Sequence, residues 1–357
     1  MDFGVFILAQ QRGYHQSPDA VIRNSVEQTR AAEAAGFTNA WYAEHHFNNY
    51  SLSPSPLMMI AHCAGLTKTI RLGTAVCILP LYQPNRLLAE IGFADVVSNG
   101  RLDLGVGAGY QEFEFQRFGT KIEESGAMYN EILDIIQKGL RERVFSYEGK
   151  HFSIPPTSIA VHTIQKPIPP IWITSGNPVS LGRAVQEGHN MFVTALLGGL
   201  DNIRALRAKL EGVAVSGGRD LGDMKFGFLR CAFASENDAE VASYLDNARF
   251  QRRISESLRF RRAQSDDGYM VKETPGVDEP SFDQLRANLP VGSVNQVIDR
   301  MLEEISILKP TQIAIQTQLG DFDQKAMLRQ IELWGERIIP AINKELARDE
   351  LPAAVNA

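Results

Sequence analysis

The sequence predicts a single (β/α)8 barrel of the TIM type. Three observations point there: short apolar runs alternate with helical patterns along the chain, the runs number about eight, and polar chemistry gathers where the runs end. At 357 residues the chain suits one barrel with insertions, since such barrels run about 250 residues and longer. Residues 1–346 are read as that barrel and 347–357 as a carboxyl-terminal tail.

Taken in order, Phe3 to Ala9 form the first apolar run, and residues 18–36 carry Val21, Val26, Ala31, Ala32 and Ala35 against a polar face, with Gly36 as the stop. The run ending in Trp41-Tyr42 is the second strand. Residues 56–66 read as a helix, 70–79 as a buried strand ending at Pro80, and 84–97 as a helix. Leu102 to Val106 make strand four, followed by a glycine-rich turn. A helix is expected over 125–140, a strand over 170–174, a helix opened by Pro178 over 178–187, and a short strand at Met191-Phe192-Val193. The remaining pattern is helix 201–210, strand 225–233 and a charged helix over 237–262, whose Arg252-Arg253 and Arg261-Arg262 pairs read as a solvated face, with a basic site as the alternative. Residues 265–290 hold Asp-Asp-Gly, Thr-Pro-Gly and Glu-Pro, which are breaker signals with little periodicity, so a lid or inserted loop is expected before the last barrel unit. Ser293 caps a helix through Ile305, residues 311–316 form the last strand, and 323–345 the closing helix, interrupted at Pro340.

Hydrophobic residues at 44% against charged ones at 22% exclude a largely disordered chain. The net charge of −6 argues against a general nucleic-acid binder and favours small-molecule partners. Neither a basic leader nor a membrane-spanning run is expected, and Cys63, Cys77 and Cys231 lack metal-like spacing, which together suggest a cytoplasmic protein with reduced core thiols.

Chemistry concentrates at Glu44-His45-His46, at the carboxyl end of strand two, where a barrel of this kind places its active site. Adjacent residues on extended backbone point apart, so a metal site using both histidines is not expected. Glu44 is a candidate to orient His45 or raise its basicity, and a histidine here equally serves to cap backbone groups. Gly105-Val106-Gly107-Ala108-Gly109 lacks the dinucleotide spacing; either it lets a flat ring or phosphate approach, flanked by Tyr110 or Gln111, or it is a tight turn alone. Ser175-Gly176-Asn177-Pro178 precedes a helix start, so Ser175, Asn177 and Ser180 are candidates for an anion cradle or for a cap.

Met1-Asp2-Phe3-Gly4-Val5-Phe6, Ala34-Ala35-Gly36-Phe37, Glu44-His45-His46-Phe47, Leu72-Gly73-Thr74-Ala75, Gly100-Arg101-Leu102, Pro169-Pro170-Ile171 and Val291-Gly292-Ser293 together resemble the bacterial luciferase-like family of flavin-dependent monooxygenases, nearly end to end. The Glu-His-His-Phe segment is similar to that of alkanal monooxygenase subunits. The resemblance implies a commonly dimeric barrel that takes reduced FMN from a separate flavin reductase together with O2. It implies that His45 is a catalytic base and that Thr74, Ala75 and Val76 lie under the flavin at a non-prolyl cis peptide. Family arginines that hold the flavin phosphate are matched here by Ala108 and Gly126, so the resemblance leaves phosphate binding to Ser175, Gly176, Asn177, Ser180 and Arg183, beside Gly107 and Gly109, or else leaves it weak, and makes light emission an unsuitable expectation. The expected function is oxygenation of a small carbonyl-type or related apolar substrate. The alternatives are a deazaflavin-dependent oxidoreductase on the same barrel and a non-catalytic flavin-binding protein.

Overall fold

The computed structural model describes residues 1–260, 269–270, 273–316 and 318–349. Eight parallel strands close into a barrel: β1 (Asp2–Ile7), β2 (Asn39–Tyr42), β3 (Arg71–Thr74), β4 (Leu102–Gly107), β5 (Ile171–Thr174), β6 (Asn190–Thr194), β7 (Phe226–Cys231) and β8 (Gln312–Gln316). Each pairs with its sequence neighbour, β8 returns to β1, and β3 joins β4 to complete the ring. This is the fold class expected. The run over 70–79 departs in one respect: it breaks after Thr74 at a cis Ala75-Val76 peptide and resumes as Cys77–Ile78.

Side-chain alternation sorts each strand into two faces. Phe3, Val5, Ile7, Ile313 and Ile315 pack outward against the helical layer. Phe6, Trp41, Trp172, Phe192 and Ala314 turn inward. Trp41 lies 5.2 Å from Trp172 and 5.0 Å from Phe192 between ring centroids, so three large rings plug the barrel's waist. Glycine makes the room for them. A Cβ on Gly73 would stand 2.2 Å from Cε3 of Trp41, and one on Gly227 would stand 2.7 Å from Cδ2 of Phe192. Below the rings lies a polar layer in which Asp103 takes bonds from Asn39 at 2.8 Å and from Arg71 through both carboxylate oxygens.

The helices begin as their sequences dictate. Ser17, Ser55, Asn177, Asn237, Ser281, Ser293 and Asp323 each accept a first-turn amide, and five of these starts also carry a capping box or an N-terminal proline. Ser281 caps a helix, Phe282–Asn288, inside the stretch expected to be loop. The signal was present as Ser-x-x-Gln, but the helix is too short for its periodicity to show. An antiparallel hairpin, Phe145–Glu148 with Ser153–Thr157, also escaped the sequence reading. At the end of the chain, Pro340 occupies the second position of the helix Ile339–Asp349 rather than breaking it. The irregularity falls just before, as a π-helical turn over Trp334–Ile338 that absorbs the N–H proline lacks. The helix extends past 346, so the tail expected from 347 is helical to Asp349; residues 350–357 lie outside the described residues.

The expected charged helix is Asp238–Arg259, and Arg249, Arg252 and Arg253 on it are engaged rather than merely solvated. Arg253 pairs with Glu279 at 2.6 Å and Glu273 at 3.0 Å, while Arg12, from the loop after β1, pairs with Glu273 and Asp246. Asn49 exchanges two hydrogen bonds with the backbone of Met270. The described part of the 265–290 stretch is thus tied to the mouth of the barrel; residues 265–268, 271 and 272, and the pair Arg261-Arg262, lie outside the described residues. Cys63, Cys77 and Cys231 are buried and free. Among the described residues no helix is long and apolar enough to cross a membrane.

Candidate active site

The loop leaving β2 carries Glu44, His45 and His46 over the carboxyl-terminal rim of the barrel. Its backbone is pinned by His45 N–H to Ser53 O at 3.1 Å, and by Asn48, whose amide donates to His46 O at 2.7 Å and whose oxygen accepts from Tyr50 N–H at 3.0 Å. The two histidines diverge as adjacent extended residues must.

Nδ1 of His45 lies 3.0 Å from Oε1 of Glu114, which also accepts the His46 backbone N–H at 2.7 Å. A carboxylate only accepts, so the Nδ1 proton points at Glu114 and Nε2 carries the free lone pair. Nε2 of the Gln111 carboxamide lies 3.0 Å from the same Nδ1, and its oxygen accepts from the Asn48 amide at 3.3 Å. The imidazole is nearly buried, at 8% exposure, and is flanked by the rings of Tyr50 at 4.6 Å and Tyr110 at 5.8 Å. Glu114 stands on the short helix Glu112–Arg117 and is fully buried.

Glu44 does not meet His45. Its Oε1 lies 2.9 Å from Nε2 of His46, and its Oε2 accepts from the Tyr82 hydroxyl at 2.6 Å and from Ile78 N–H at 3.2 Å. Burial pushes the Glu44 carboxyl above its ordinary value, against the hydrogen bonds from His46 and Tyr82 that favour the charged form. All its contacts face the break in β3, so the side chain fixes that break and His46. The sequence offered Glu44 as the partner of His45 because the two are adjacent; the geometry gives that place to Glu114, distant in sequence and not identifiable by spacing.

Thr74 is buried and its hydroxyl donates to Gly105 O at 2.6 Å, while Ala75 and Val76 stay half-open at the rim. Gly107 faces Val76: a Cβ there would come 2.9 Å from Val76 Cγ2. Gly109 adopts φ +75°, which favours glycine, and a Cβ would also meet Ile78 and Phe115 below 3.0 Å. The glycine run is therefore required by close approach as well as by a turn. Tyr110 follows, with its hydroxyl hydrogen-bonded among Tyr50, Ser255 and Gln111.

A cavity of about 1070 Å³ opens beside this run, lined by Ala108, Gly109, Ser175, Gly176, Asn177 and Ser180 together with Ser125, Gly126, Arg183, Glu187 and Arg259, among others. The structure thus gathers the residues expected for an anion site. Their donors are less free than the sequence suggests. Ser175 Oγ accepts Asn177 N–H at 2.9 Å, Asn177 Oδ1 accepts Val179 N–H at 2.9 Å, and Pro178 has no N–H. Arg183 is engaged too: it bonds Glu187 at 2.7 Å, Asn130 at 2.9 Å and Asp134. Although burial opposes it, these contacts and one from Gln137 hold the Glu187 carboxyl below its ordinary value. Arg259, at the end of the helix Asp238–Arg259, is among the lining residues that sequence reasoning missed. It approaches this cavity only through the fold.

The luciferase-like monooxygenase model matches residues 1–308. The chain is 63% identical over 350 residues to protein y4vJ of Sinorhizobium fredii (strain NBRC 101917 / NGR234), covering 98% of this chain and 100% of that one. It is 29% identical to the oxygenase component of the flavin-dependent trigonelline monooxygenase of Acinetobacter baylyi (strain ATCC 33305 / BD413 / ADP1), over 84% of this chain and 85% of that one. Among solved structures, the oxygenating constituent of 3,6-diketocamphane monooxygenase from Pseudomonas putida, a type II Baeyer-Villiger enzyme in complex with FMN, superposes with a TM-score of 0.77 at 20% identity, covering 96% of this chain and 99% of that one, a likeness of fold. On the family match over most of its length, together with the closed barrel, this chain belongs to the luciferase-like monooxygenase family.

Proposed function

We propose that the protein is the oxygenase of a two-component system, taking reduced FMN from a separate reductase and inserting one atom of O2 into a small, apolar, carbonyl-type substrate. The observation that carries this reading is the path of one loop. Ala108 and Gly109 line the polar cavity, and Tyr110 and Gln111, next in sequence, touch His45 or its ring neighbours. A ligand with a flat ring and an anionic tail fits that span: the ring against side-chain-free backbone and half-open Ala75 and Val76, the tail toward Ser180 and the cavity. Reduced flavin supplies the electrons that activate oxygen. The chain's own part is to place His45, whose Nε2 accepts or returns a proton while Glu114 holds the ring, and to exclude water with Leu8, Tyr50, Phe250, Ile254 and Met270. Exposed Met58, Phe93, Val96 and Val97 on two adjoining helices support pairing with a second copy.

Anaerobic titration followed by mixing with oxygen tests this reading. Reduced FMN should bind more tightly than oxidised FMN, and with a reductase, NADH and a ketone such as cyclohexanone or an aldehyde such as decanal, an oxygenated product should form in step with NADH use. Binding of a deazaflavin alone would replace oxygenation by hydride transfer, and flavin binding without turnover of any carbonyl compound offered would leave a flavin-binding protein.

A further inference from the structure

Two arginines line the cavity at the start of the helix Pro178–Glu187, and their charges are differently committed. Arg183 is held by Glu187, Asp134 and Asn130, so its positive charge is balanced within the protein. Glu187, the carboxylate in the lining, is itself occupied by Arg183 through Oε1 and by Gln137 and His189 through Oε2. Lys209 reaches the Gly176 carbonyl from outside the lining. Arg259 stands differently: it is exposed, its guanidinium lies 5.6 Å from the Phe260 ring, and among the described residues no carboxylate pairs with it. The helix start offers few free donors in its place, because Pro178 lacks an N–H and the Val179 and Asn177 amides are taken by the Asn177 and Ser175 side chains.

We infer that Arg259 is the cation that binds the anionic group of the ligand in this cavity, doing from the last turn of a late helix what Ala108 and Gly126 cannot do at the rim. The inference rests on the flavin reading, in which that group is the FMN phosphate. A planar guanidinium with an open face suits a phosphate, offering two parallel N–H donors to two oxygens, and the hydroxyl of Ser180 adds a neutral donor. The same chemistry would take free phosphate, so ligand and anion are titrated separately.

The test compares oxidised FMN and riboflavin by flavin-fluorescence titration, with inorganic phosphate as competitor, in the native sequence and in Arg259→Ala and Arg259→Lys. The native protein should hold FMN about tenfold or more tighter than riboflavin, the advantage should shrink as salt rises, and phosphate should displace FMN and not riboflavin. Arg259→Ala should bring FMN to the riboflavin level with riboflavin binding and melting temperature unchanged; Arg259→Lys should keep part of the preference. An Arg259→Ala protein that still prefers FMN, or that loses both ligands equally, overturns the inference. A native protein that binds the two flavins equally overturns it and leaves the flavin reading standing, whereas one that binds neither, in either redox state, removes both.

Discussion

Oε1 of Glu114 lies 3.0 Å from Nδ1 of His45 and takes the backbone N–H of His46 at 2.7 Å, so a single oxygen orients one imidazole and anchors the next residue. The carboxylate is fully buried, which keeps it from exchanging this contact for water. An imidazole held in this way keeps its Nε2 aimed without a rotamer search, as the proposed role of His45 as a base requires.

Removal of the proposed base should therefore separate chemistry from binding. His45→Ala should lower turnover about a hundred- to ten-thousand-fold with little change in reduced-FMN affinity, and Glu114→Gln, which keeps the shape and removes the charge, should give a smaller loss of about tenfold, in kcat rather than KM. His46→Ala should affect the chemical step less, since its ring is turned to Glu44 and Phe118. Steady-state assays with a reductase read both NADH use and product. Full coupled oxygenation by His45→Ala would reduce the histidine to a structural role.

The barrel's waist makes a second prediction, about stability. A Cβ at Gly73 meets the edge of the Trp41 ring, which Trp172 and Phe192 confine, whereas a Cβ at Gly105 would stand 1.9 Å from the Thr74 carbonyl oxygen. Overpacking a core costs about 1–3 kcal/mol, and backbone yields less than a ring does. Gly73→Ala should lower stability by an amount in that range and Gly105→Ala by more, with loss of the Thr74 to Gly105 hydrogen bond. Denaturant unfolding followed by tryptophan fluorescence gives both values, and a Gly105→Ala protein as stable as Gly73→Ala would contradict the packing account.

How much of this was legible beforehand follows from the range of the interactions involved. The eight strands were readable because their inward and outward faces are buried together, which leaves apolar runs with glycine and proline at their ends, and proline or serine marks most helix starts. The short capped helix Phe282–Asn288 and the Phe145–Thr157 hairpin region carry too few residues to impose a period. At the site, His45 and the glycine run were evident as local clusters. Glu114 was not: it sits among Glu112, Phe113 and Phe115 on a helix of one and a half turns, and nothing nearby in sequence distinguishes it from its acidic neighbour. Arg259 was similarly hidden at the end of a helix rich in arginine, where only the fold shows which guanidinium meets no carboxylate among the described residues.

The last prediction concerns acid. Oε1 of Glu33 accepts the backbone N–H groups of Lys68 and Thr69 at 2.7 Å, that of Ile70 at 3.0 Å and the Thr69 hydroxyl at 3.1 Å, so it gathers the turn that leads into β3. Burial works to raise its pKa, but these donors together hold the carboxyl below its ordinary value of 4.5. A folded-state value lower than the unfolded one contributes stability that is complete above the unfolded value and is lost as pH falls through the folded one. Glu33→Gln should therefore cost on the order of 1 kcal/mol at neutral pH, the side chain being partly open to solvent, and the difference from the native protein should shrink as pH drops below the ordinary value. Urea unfolding between about pH 7 and pH 3.5 measures it. A gap that stays constant across that window would mean that the charge on Glu33 contributes nothing there, and no gap at all would mean that the amide serves the turn as well as the carboxylate does.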